Sequence, residues 1–297
     1  MAGCGTRKPP GRVAQGRRVV LARRRTGYPG RMALLICGSM SKFPVGLGRA
    51  MHEAGYKALG IEAMYVPFAC REVAGAIAGM RALGIRGLGV SMPFKREVLP
   101  LLDALSEDAR RIGAVNTIVQ EGMVLTGHNT DASGALGALL EEGPVAGQRA
   151  LLLGAGGAAR AVAVALAGAG ARLAVCNRNA ERGAELAGLV GAVAAPPDEA
   201  TRAADYDLVI NASSRGMADI DPSSPLPEGA LRAGQVLMDI VYKPLETALV
   251  RQARAAGARV ISGERMLLHQ AMGQFKLYTG QEAPRAAMEE ALLRQLR

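Results

Sequence analysis

The 297-residue sequence has no tryptophan, only six tyrosines and four phenylalanines, and an aromatic content of 3%. Its hydrophobic share is nonetheless 49%, so the expected core is built from Ala, Val, Leu, Ile and Met, in a chain long enough for two domains of ordinary size. No apolar run approaches the roughly 20 residues of a membrane span, and no membrane partner is expected. The four cysteines, Cys4, Cys37, Cys70 and Cys176, are scattered without a C-x-x-C spacing. That pattern argues against a zinc site or a disulfide framework and suits a reducing, cytoplasmic compartment.

Acidic residues are missing altogether from residues 1–31, which carry nine Lys or Arg. The other 27 basic residues face all 26 acidic ones. The net charge of +10 therefore belongs to the N-terminal segment, and the body of the chain has no excess charge that would attract nucleic acid. Arg23, Arg24 and Arg25 interrupt any apolar stretch after Arg17-Arg18, against a twin-arginine signal. Residues 1–31 read as a disordered basic extension, or as the product of an upstream start with Met32 as the natural one. A transit peptide or an anion-binding arm is the remaining alternative.

Glycine is abundant, and one cluster of it stands out. Leu151 to Arg160, LLLGAGGAAR, joins a short apolar run to a glycine turn and an alanine-rich helix. Gly154 suits a tight turn out of a strand, Gly156 lets backbone approach a pyrophosphate, and Ala159 lets helix and sheet pack closely. The free N–H groups and dipole of the helix favour a phosphate there. A plain strand-to-helix turn would use the same residues, so the next strand carries the weight. Arg172 to Cys176 ends in Asn177, Arg178 and Asn179, at the distance from Gly154 where ribose is recognised. No carboxylate lies between Cys176 and Ala180, whereas Arg178 and Arg182 share a helical face and suit a 2′-phosphate, which favours NADP over NAD. Two solvated arginines at a helix start are the bland alternative.

The rest of the chain alternates strands and helices. Ala33–Cys37 is the first expected strand, ending at Gly38, with a loop over Ser39–Gly48 and a helix over Arg49–Leu59. Strands follow at Ala63–Phe68 and Leu88–Ser91 around a helix over Arg71–Leu83, then helical segments through Leu105 and from Ser106 to Ile112. Val115–Val119 and Met123–Leu125 read as a hairpin. A helix from Asp131 leads to the nucleotide half, where strands at Asp207–Ile210, Val236–Ile240 and Val260–Ser262 extend a doubly wound sheet. The tail after Arg265 is helical and is expected to return to the first domain. The fold class is α/β: an N-terminal substrate domain (32–131, completed by 264–297) and a Rossmann domain (132–263).

Three polar spots stand at strand ends in the first half, where open α/β sheets bind ligands: Ser91 to Lys95, Asn116-Thr117, and Asn129 to Asp131. A lysine and a carboxylate on separate loops can bracket one hydroxyl, with Lys95 exchanging its proton and Asp131 orienting Lys95. Taken singly, Lys95 is also an ordinary solvated lysine, Asp131 a helix N-cap, and Asn116 and Asn129 turn residues.

These pieces, in this order, resemble the shikimate dehydrogenase family over residues 32–297. The motifs are V-x-x-P-x-K (Val90 to Lys95), A-V-N-T (Ala114 to Thr117), N-T-D (Asn129 to Asp131), G-A-G-G-A (Gly154, Ala155, Gly156, Gly157, Ala158) and N-R (Asn177-Arg178). They continue with N-A-[ST]-S (Asn211 to Ser214), D-x-x-Y (Asp239 to Tyr242) and G-x-x-M-L-x-x-Q (Gly263 to Gln270). The resemblance implies an NADP-dependent oxidoreductase of aromatic amino acid biosynthesis that interconverts a cyclic hydroxy acid and its ketone, shikimate or a close relative. It implies Lys95 and Asp131 as the catalytic pair, Asn116, Tyr242 and Gln270 as substrate contacts, Asn211, Ser213, Gly263 and Met266 on the cofactor side, and Met266 near the nicotinamide. Quinate or amino-shikimate dehydrogenation, and a non-catalytic NADP-binding sensor, are the alternatives. Oligomeric state is open between monomer and homodimer.

One stretch departs from the family pattern. Aligning His52 with the family's histidine puts Gly46 and Gly48 where two serines hold the shikimate carboxylate, and Arg49 at the proline. Ser39 or Ser41 is then the candidate replacement. Together with Ala82 to Gly87, A-L-G-I-R-G, before S-M-P-F-K, this aligns the chain with a divergent, shikimate dehydrogenase-like branch.

Overall fold

The structure, a computed structural model, describes residues 34–297 and Met1. The basic segment read from the sequence, with Cys4, Arg17, Arg18 and Met32, lies outside the described residues. Residues 34–297 form one compact unit with two six-stranded sheets.

The first sheet comprises β1 (Leu35–Ser41), β2 (Ala63–Ala69), β3 (Gly87–Val90), β4 (Ala104–Leu105), β5 (Thr117–Glu121) and β6 (Val124–His128). They lie in the order β2-β1-β3-β5-β6-β4, with β1 parallel to β2 and β3, and β5 antiparallel to β3 and β6. Helices α1 (Leu47–Ala58) and α2 (Val73–Leu83) make the crossovers. A short α3 (Glu107–Ile112) starts at Ser106, whose Oγ accepts the Ala109 N–H at 3.2 Å, as a cap should.

Two expectations fail here. β1 runs on through Gly38 to Ser41, so Ser39 and Ser41 are strand residues and not loop residues. Gly38, expected to stop the strand, pairs with Val66, and its missing Cβ leaves room for the Val66 carbonyl and the Phe68 ring. The helical segment expected up to Leu105 is a single 3-10 turn, Leu99–Leu101, followed by β4. The Asp103 carboxylate accepts from Arg81 at 2.8 Å and from the Leu125 N–H at 2.7 Å, drawing the chain to the sheet edge.

The second sheet is parallel throughout: β7 (Arg149–Leu153), β8 (Arg172–Cys176), β9 (Val193–Ala195), β10 (Leu208–Asn211), β11 (Val236–Asp239) and β12 (Arg259–Ile261). Their order is β12-β11-β10-β7-β8-β9. The direction of winding reverses between β7 and β10, the place where doubly wound sheets open a crevice. Apolar clusters cover both faces, one led by Leu152, Val162 and Met238 and the other by Leu151, Val209 and Leu249, which is why these strands are apolar runs without alternation. Ala159 is fully buried in the first cluster, as its small-residue position requires.

Helix α4 (Asp131–Leu140) leads from the first sheet to the second, whose strands alternate with α5 (Gly157–Gly168), α6 (Ala180–Val190) and α7 (Ala248–Ala255). The chain closes with α8 (Gly263–Thr279) and α9 (Arg285–Leu296). α8 packs on α4 so closely that a Cβ at Gly134 would lie 2.9 Å from the Gln270 nitrogen. α9 returns to α1, and here the few aromatics gather: Tyr56, Tyr65, Phe275 and Tyr278 join His52 in one buried cluster. The expectation of an all-aliphatic core is corrected at this point. His52 stacks on Tyr65 at 4.4 Å and 9°, and burial depresses its pKa to about 3, so the ring is neutral.

Among the described residues no helix is long and apolar enough to cross a membrane, and no group of three His, Cys, Asp or Glu is assembled for a metal. At the end of α4, Glu141 accepts from Arg265 at 2.8 Å, His269 at 2.6 Å and Arg285 at 2.6 Å, tying α4, α8 and α9. Burial pushes this carboxyl up, but Arg265, His269 and Arg285 outweigh it and bring its pKa down to about 2. A depressed carboxylate stabilises the fold above its unfolded pKa, near 4.5, and that contribution is lost as pH falls toward 2. Glu141→Gln is expected to lower Tm at pH 7 by a few degrees, about 2–4 °C per kcal/mol for a domain of this scale. In thermal scans the gap to wild type should close between about pH 4.5 and 2.

Candidate active site

The hairpin β5–β6 and the start of α4 bring three polar segments to one point. Asn116, just before β5, is completely buried. Its Nδ2 donates to Thr130 Oγ1 at 3.0 Å and to Asp131 Oδ1 at 2.8 Å. Its Oδ1 accepts from the Thr130 N–H at 2.8 Å and from Thr117 Oγ1 at 2.7 Å. Asn129 donates to the Ala114 carbonyl at 3.0 Å and accepts the Asp131 N–H at 3.0 Å. Thr130, not Asp131, stands at the cap position of α4, so the Asp131 carboxylate is available for another partner.

That partner is Lys95, whose Nζ lies 2.6 Å from Asp131 Oδ2. The carboxylate side chain is 5% exposed and the lysine 22%. Lys95 sits in the turn after β3, held by its carbonyl accepting the Val115 N–H at 2.8 Å. An amine with one accessible end and a fixed carboxylate behind it can exchange a proton with a ligand hydroxyl.

Gln274 and Thr117 join this network although the sequence reading did not single out their roles. Gln274 Nε2 donates to Thr117 Oγ1 at 3.0 Å and to the Asn116 carbonyl at 3.3 Å. Gln274 lies four residues after Gln270, on the same helical face; that spacing was the available signal. Gln270 itself is half-buried where α8 crosses α4, with no side-chain hydrogen bond. Ser39 and Ser41 are half-buried on β1, on the face that also carries Cys37. Gly46 caps α1 and Gly48 lies in its first turn.

At the reversal point of the second sheet a cleft of about 810 Å³ is lined by Gly154, Ala155, Gly156, Gly157 and Ala158, by Asn177 and Arg178, by Ser213, and by Tyr242. Met92, three residues before Lys95, lines the same cleft, so the glycine corner and the lysine turn share it. Gly154 has φ +116°, and a Cβ there would lie 2.8 Å from the Ala212 carbonyl oxygen. Gly156 and Gly157, by contrast, have nothing within 4 Å of a Cβ, and Gly156 caps α5 with no side-chain hydrogen bond. The first N–H groups of α5 are thus open to a phosphate.

Four expected cofactor-side residues stand elsewhere. Asn211 is fully buried, donating to Asp239 Oδ1 at 2.9 Å and to the Arg215 carbonyl at 2.9 Å, and its Oδ1 holds Ser213 Oγ at 2.6 Å; it shapes the loop and does not face the cleft. Gly263 is a close-packing position, where a Cβ would meet the Ile240 carbonyl oxygen at 2.5 Å. Met266 is 7% exposed in the core cluster against Ala159 and Met238, not at the cleft wall. Arg182 is exposed on α6 outside the cleft lining, and its N–H is capped by Asn179 Oδ1 at 2.9 Å. In its place the cleft includes Arg215, paired with Asp221 at 3.3 Å, which the sequence did not single out.

A glycine corner at the reversal point of a parallel sheet, in a cleft that Met92 of the lysine turn also lines, defines an α/β dinucleotide-binding protein. The family model for the shikimate dehydrogenase substrate binding domain matches residues 45–118, that for shikimate / quinate 5-dehydrogenase residues 138–237, and that for the shikimate 5′-dehydrogenase C-terminal domain residues 263–293. The shikimate dehydrogenase (NADP(+)) of Moorella thermoacetica is 46% identical over 259 residues, 83% of this chain and 88% of that one. The solved shikimate 5-dehydrogenase of Thermus thermophilus, in complex with NADP(H) and shikimate, is similar at a TM-score of 0.82 and 39% identity, over 88% of this chain and 100% of that one. A solved shikimate 5-dehydrogenase-like protein is similar at a TM-score of 0.80 and 33% identity, over 90% of this chain and 99% of that one. The chain belongs to the shikimate dehydrogenase family.

The two kinds of glycine in the corner separate fold from ligand. Gly154→Ala should lower Tm by several degrees, because both its φ and the Ala212 carbonyl oppose a side chain. Gly157→Ala should leave Tm unchanged in the free protein. Equal thermal scans for the two variants would contradict this assignment.

Proposed function

We propose that the chain is an NADP-dependent alcohol dehydrogenase of this family, interconverting a cyclic hydroxy acid and its ketone, shikimate and 3-dehydroshikimate or a close relative. The reading is carried by one observation, the 2.6 Å pair of Lys95 with Asp131, Lys95 standing in the turn whose Met92 lines the cleft of the glycine corner. NADP(H) and shikimate in the Thermus thermophilus complex support the choice of ligands. Residues 32–131 with 264–297 form the substrate side and residues 132–263 the NADP side. A cytoplasmic setting belongs to the same reading and is supported by Cys37, Cys70 and Cys176 being free and buried.

NADP, when bound, accepts or supplies the hydride. The open N–H groups of α5 would hold its pyrophosphate, and the Arg178 guanidinium would take the 2′-phosphate. In alcohol oxidation the hydroxyl proton passes to Lys95 Nζ, and in ketone reduction Lys95 returns it. Asp131 keeps Nζ aimed at that oxygen, and Asn116 keeps Asp131 from turning by holding its Oδ1. The intact pair weighs against a non-catalytic sensor, since a sensor has no use for a proton-exchanging amine.

Gly46 and Gly48 support placement nearer the divergent branch, as does the similarity to a shikimate 5-dehydrogenase-like structure. Nicotinamide absorbance in a screen of cyclic hydroxy acids against NADP and NAD tests the whole reading, and no turnover with any of them would overturn it. Lys95→Ala should lower kcat by roughly 10²- to 10⁴-fold with NADP binding retained. Arg178→Ala should weaken NADP by roughly ten- to a hundredfold, about 1.5–3 kcal/mol, with NAD nearly unchanged; a wild type that prefers NAD would contradict that role.

A further inference from the structure

Arg160, the fourth residue of α5, carries a positive charge at the end of the helix where the dipole disfavours one. Its contacts lie in other elements. Nε donates to the Ile112 carbonyl at 3.0 Å, and Nη1 lies 3.0 Å from Glu185 Oε1 on α6. Ile112 is completely buried at the end of α3, and its carbonyl is one of the last acceptors of that helix, which find no partner inside it. Gly113 turns the chain away at φ +71°. A guanidinium here satisfies the buried carbonyl and suits the negative end of the α3 dipole. Arg160 is therefore placed for α3, against the dipole of its own helix.

The carbonyl that Arg160 holds opens the segment on which the reactive pair depends. The Ala114 carbonyl accepts Asn129 Nδ2 at 3.0 Å, the Val115 N–H donates to the Lys95 carbonyl at 2.8 Å, and Asn116 Nδ2 donates to Asp131 Oδ1 at 2.8 Å. Residues 112–116 thus touch both Lys95 and Asp131. Beside them Ile112, Ala114 and Ala132 pack against Ala161, Val164 and Ala165 of α5 in one apolar cluster. Apolar burial is non-directional and does not fix how one surface slides on another. A hydrogen bond to a single carbonyl does.

We infer that Arg160 is a positioning residue, which fixes the Lys95–Asp131 pair relative to the open N–H groups at the start of α5. The inference rests on the reading of the chain as an NADP-dependent dehydrogenase. In alcohol oxidation the proton leaves oxygen for Lys95 and the hydride leaves the adjoining carbon for the cofactor on α5, so the two acceptors must keep one spacing. Arg160 lies outside the cleft lining and acts through the Ile112 carbonyl.

The test compares wild type with Arg160→Met, which keeps an apolar stem and removes every donor, with Arg160→Lys, and with Glu185→Gln, all well below the melting transition. NADPH fluorescence gives the affinity for NADPH with and without saturating shikimate; both are reduced partners, so the mixture does not react. Steady-state kinetics with the best ring acid give kcat. Arg160→Met should weaken NADPH in the free protein by no more than about fivefold, the effect of one charge near a helix end. Shikimate should tighten NADPH in wild type by about fivefold or more, an ordinary coupling between two sites, and that factor should fall to near one in Arg160→Met. Its kcat should drop roughly ten- to a hundredfold, the scale of a small misplacement of reacting groups. Arg160→Lys keeps a charged donor and should recover most of both losses. Glu185→Gln removes an ion pair whose carboxylate is 70% exposed and should change neither. Wild-type kcat and coupling in Arg160→Met overturn the positioning role alone, even with a lowered Tm, because the contact is then merely structural. So does a coupling factor near one in an active wild type, or an equal loss in Glu185→Gln. Should Arg160→Met not fold, Arg160→Gln is read for the same outcomes. A wild type that binds NADPH but turns over no ring acid overturns the dehydrogenase reading and the positioning role with it.

Discussion

The amide of Asn116 is the contact on which the polar half of the site depends. A primary amide buried with no exposed surface has to satisfy every donor and acceptor inside the protein, at a cost of about 1–3 kcal/mol for each failure. Asn116 does so with the Thr130 N–H, the hydroxyls of Thr117 and Thr130, and Asp131 Oδ1. Those partners sit at the start of β5 and at the cap and first residue of α4. Satisfying one side chain therefore ties the start of β5 to the start of α4 and presents the second carboxylate oxygen of Asp131 to Lys95. The 2.6 Å pair follows from that arrangement, since Lys95 stands in a turn and Asp131 is the first residue of α4.

Helix α4 carries this order across the molecule. It begins at Asp131 and ends at the Glu141 cluster, so one rigid element connects the polar network to the salt-bridged contact of α8 and α9. Glycines make the connection tight. Gly134 and Gly137 lie where α8 passes, and any Cβ at either would collide with Gln270 or His269. The energetic return is close helix–helix packing, and the geometric return is that Gln274 arrives beside Thr117. The scarce aromatics serve the same end on the other side of α8, where Tyr65 and Phe275 bracket a neutral His52.

Several motif residues lie outside the lining of the cleft. Asn211 and Gly263 stand inside motifs of the nucleotide half, yet the first is a buried loop anchor and the second a close-packing position. A motif records that a residue type is needed, and does not distinguish contact with a ligand from support of a loop that makes the contact. Met266 illustrates the same point, being absorbed into the core beneath the cleft.

The order of strands and helices in the nucleotide half was legible in the sequence, because buried parallel strands are apolar runs and Gly154 to Ala159 marks the turn between one of them and its helix. Lys95 and Asp131 were legible as a pair only through the ordered motifs around them, since each alone is an ordinary residue type at a helix start or turn. Two things were decided by tertiary structure. The extension of β1 through Gly38, and with it the strand position of Ser39, depends on Val66 and Phe68 of a neighbouring strand, a contact that local propensity does not encode. The meeting of Gln274 with Thr117 joins residues separated by 157 positions, and it exists because the return of α8 brings them together.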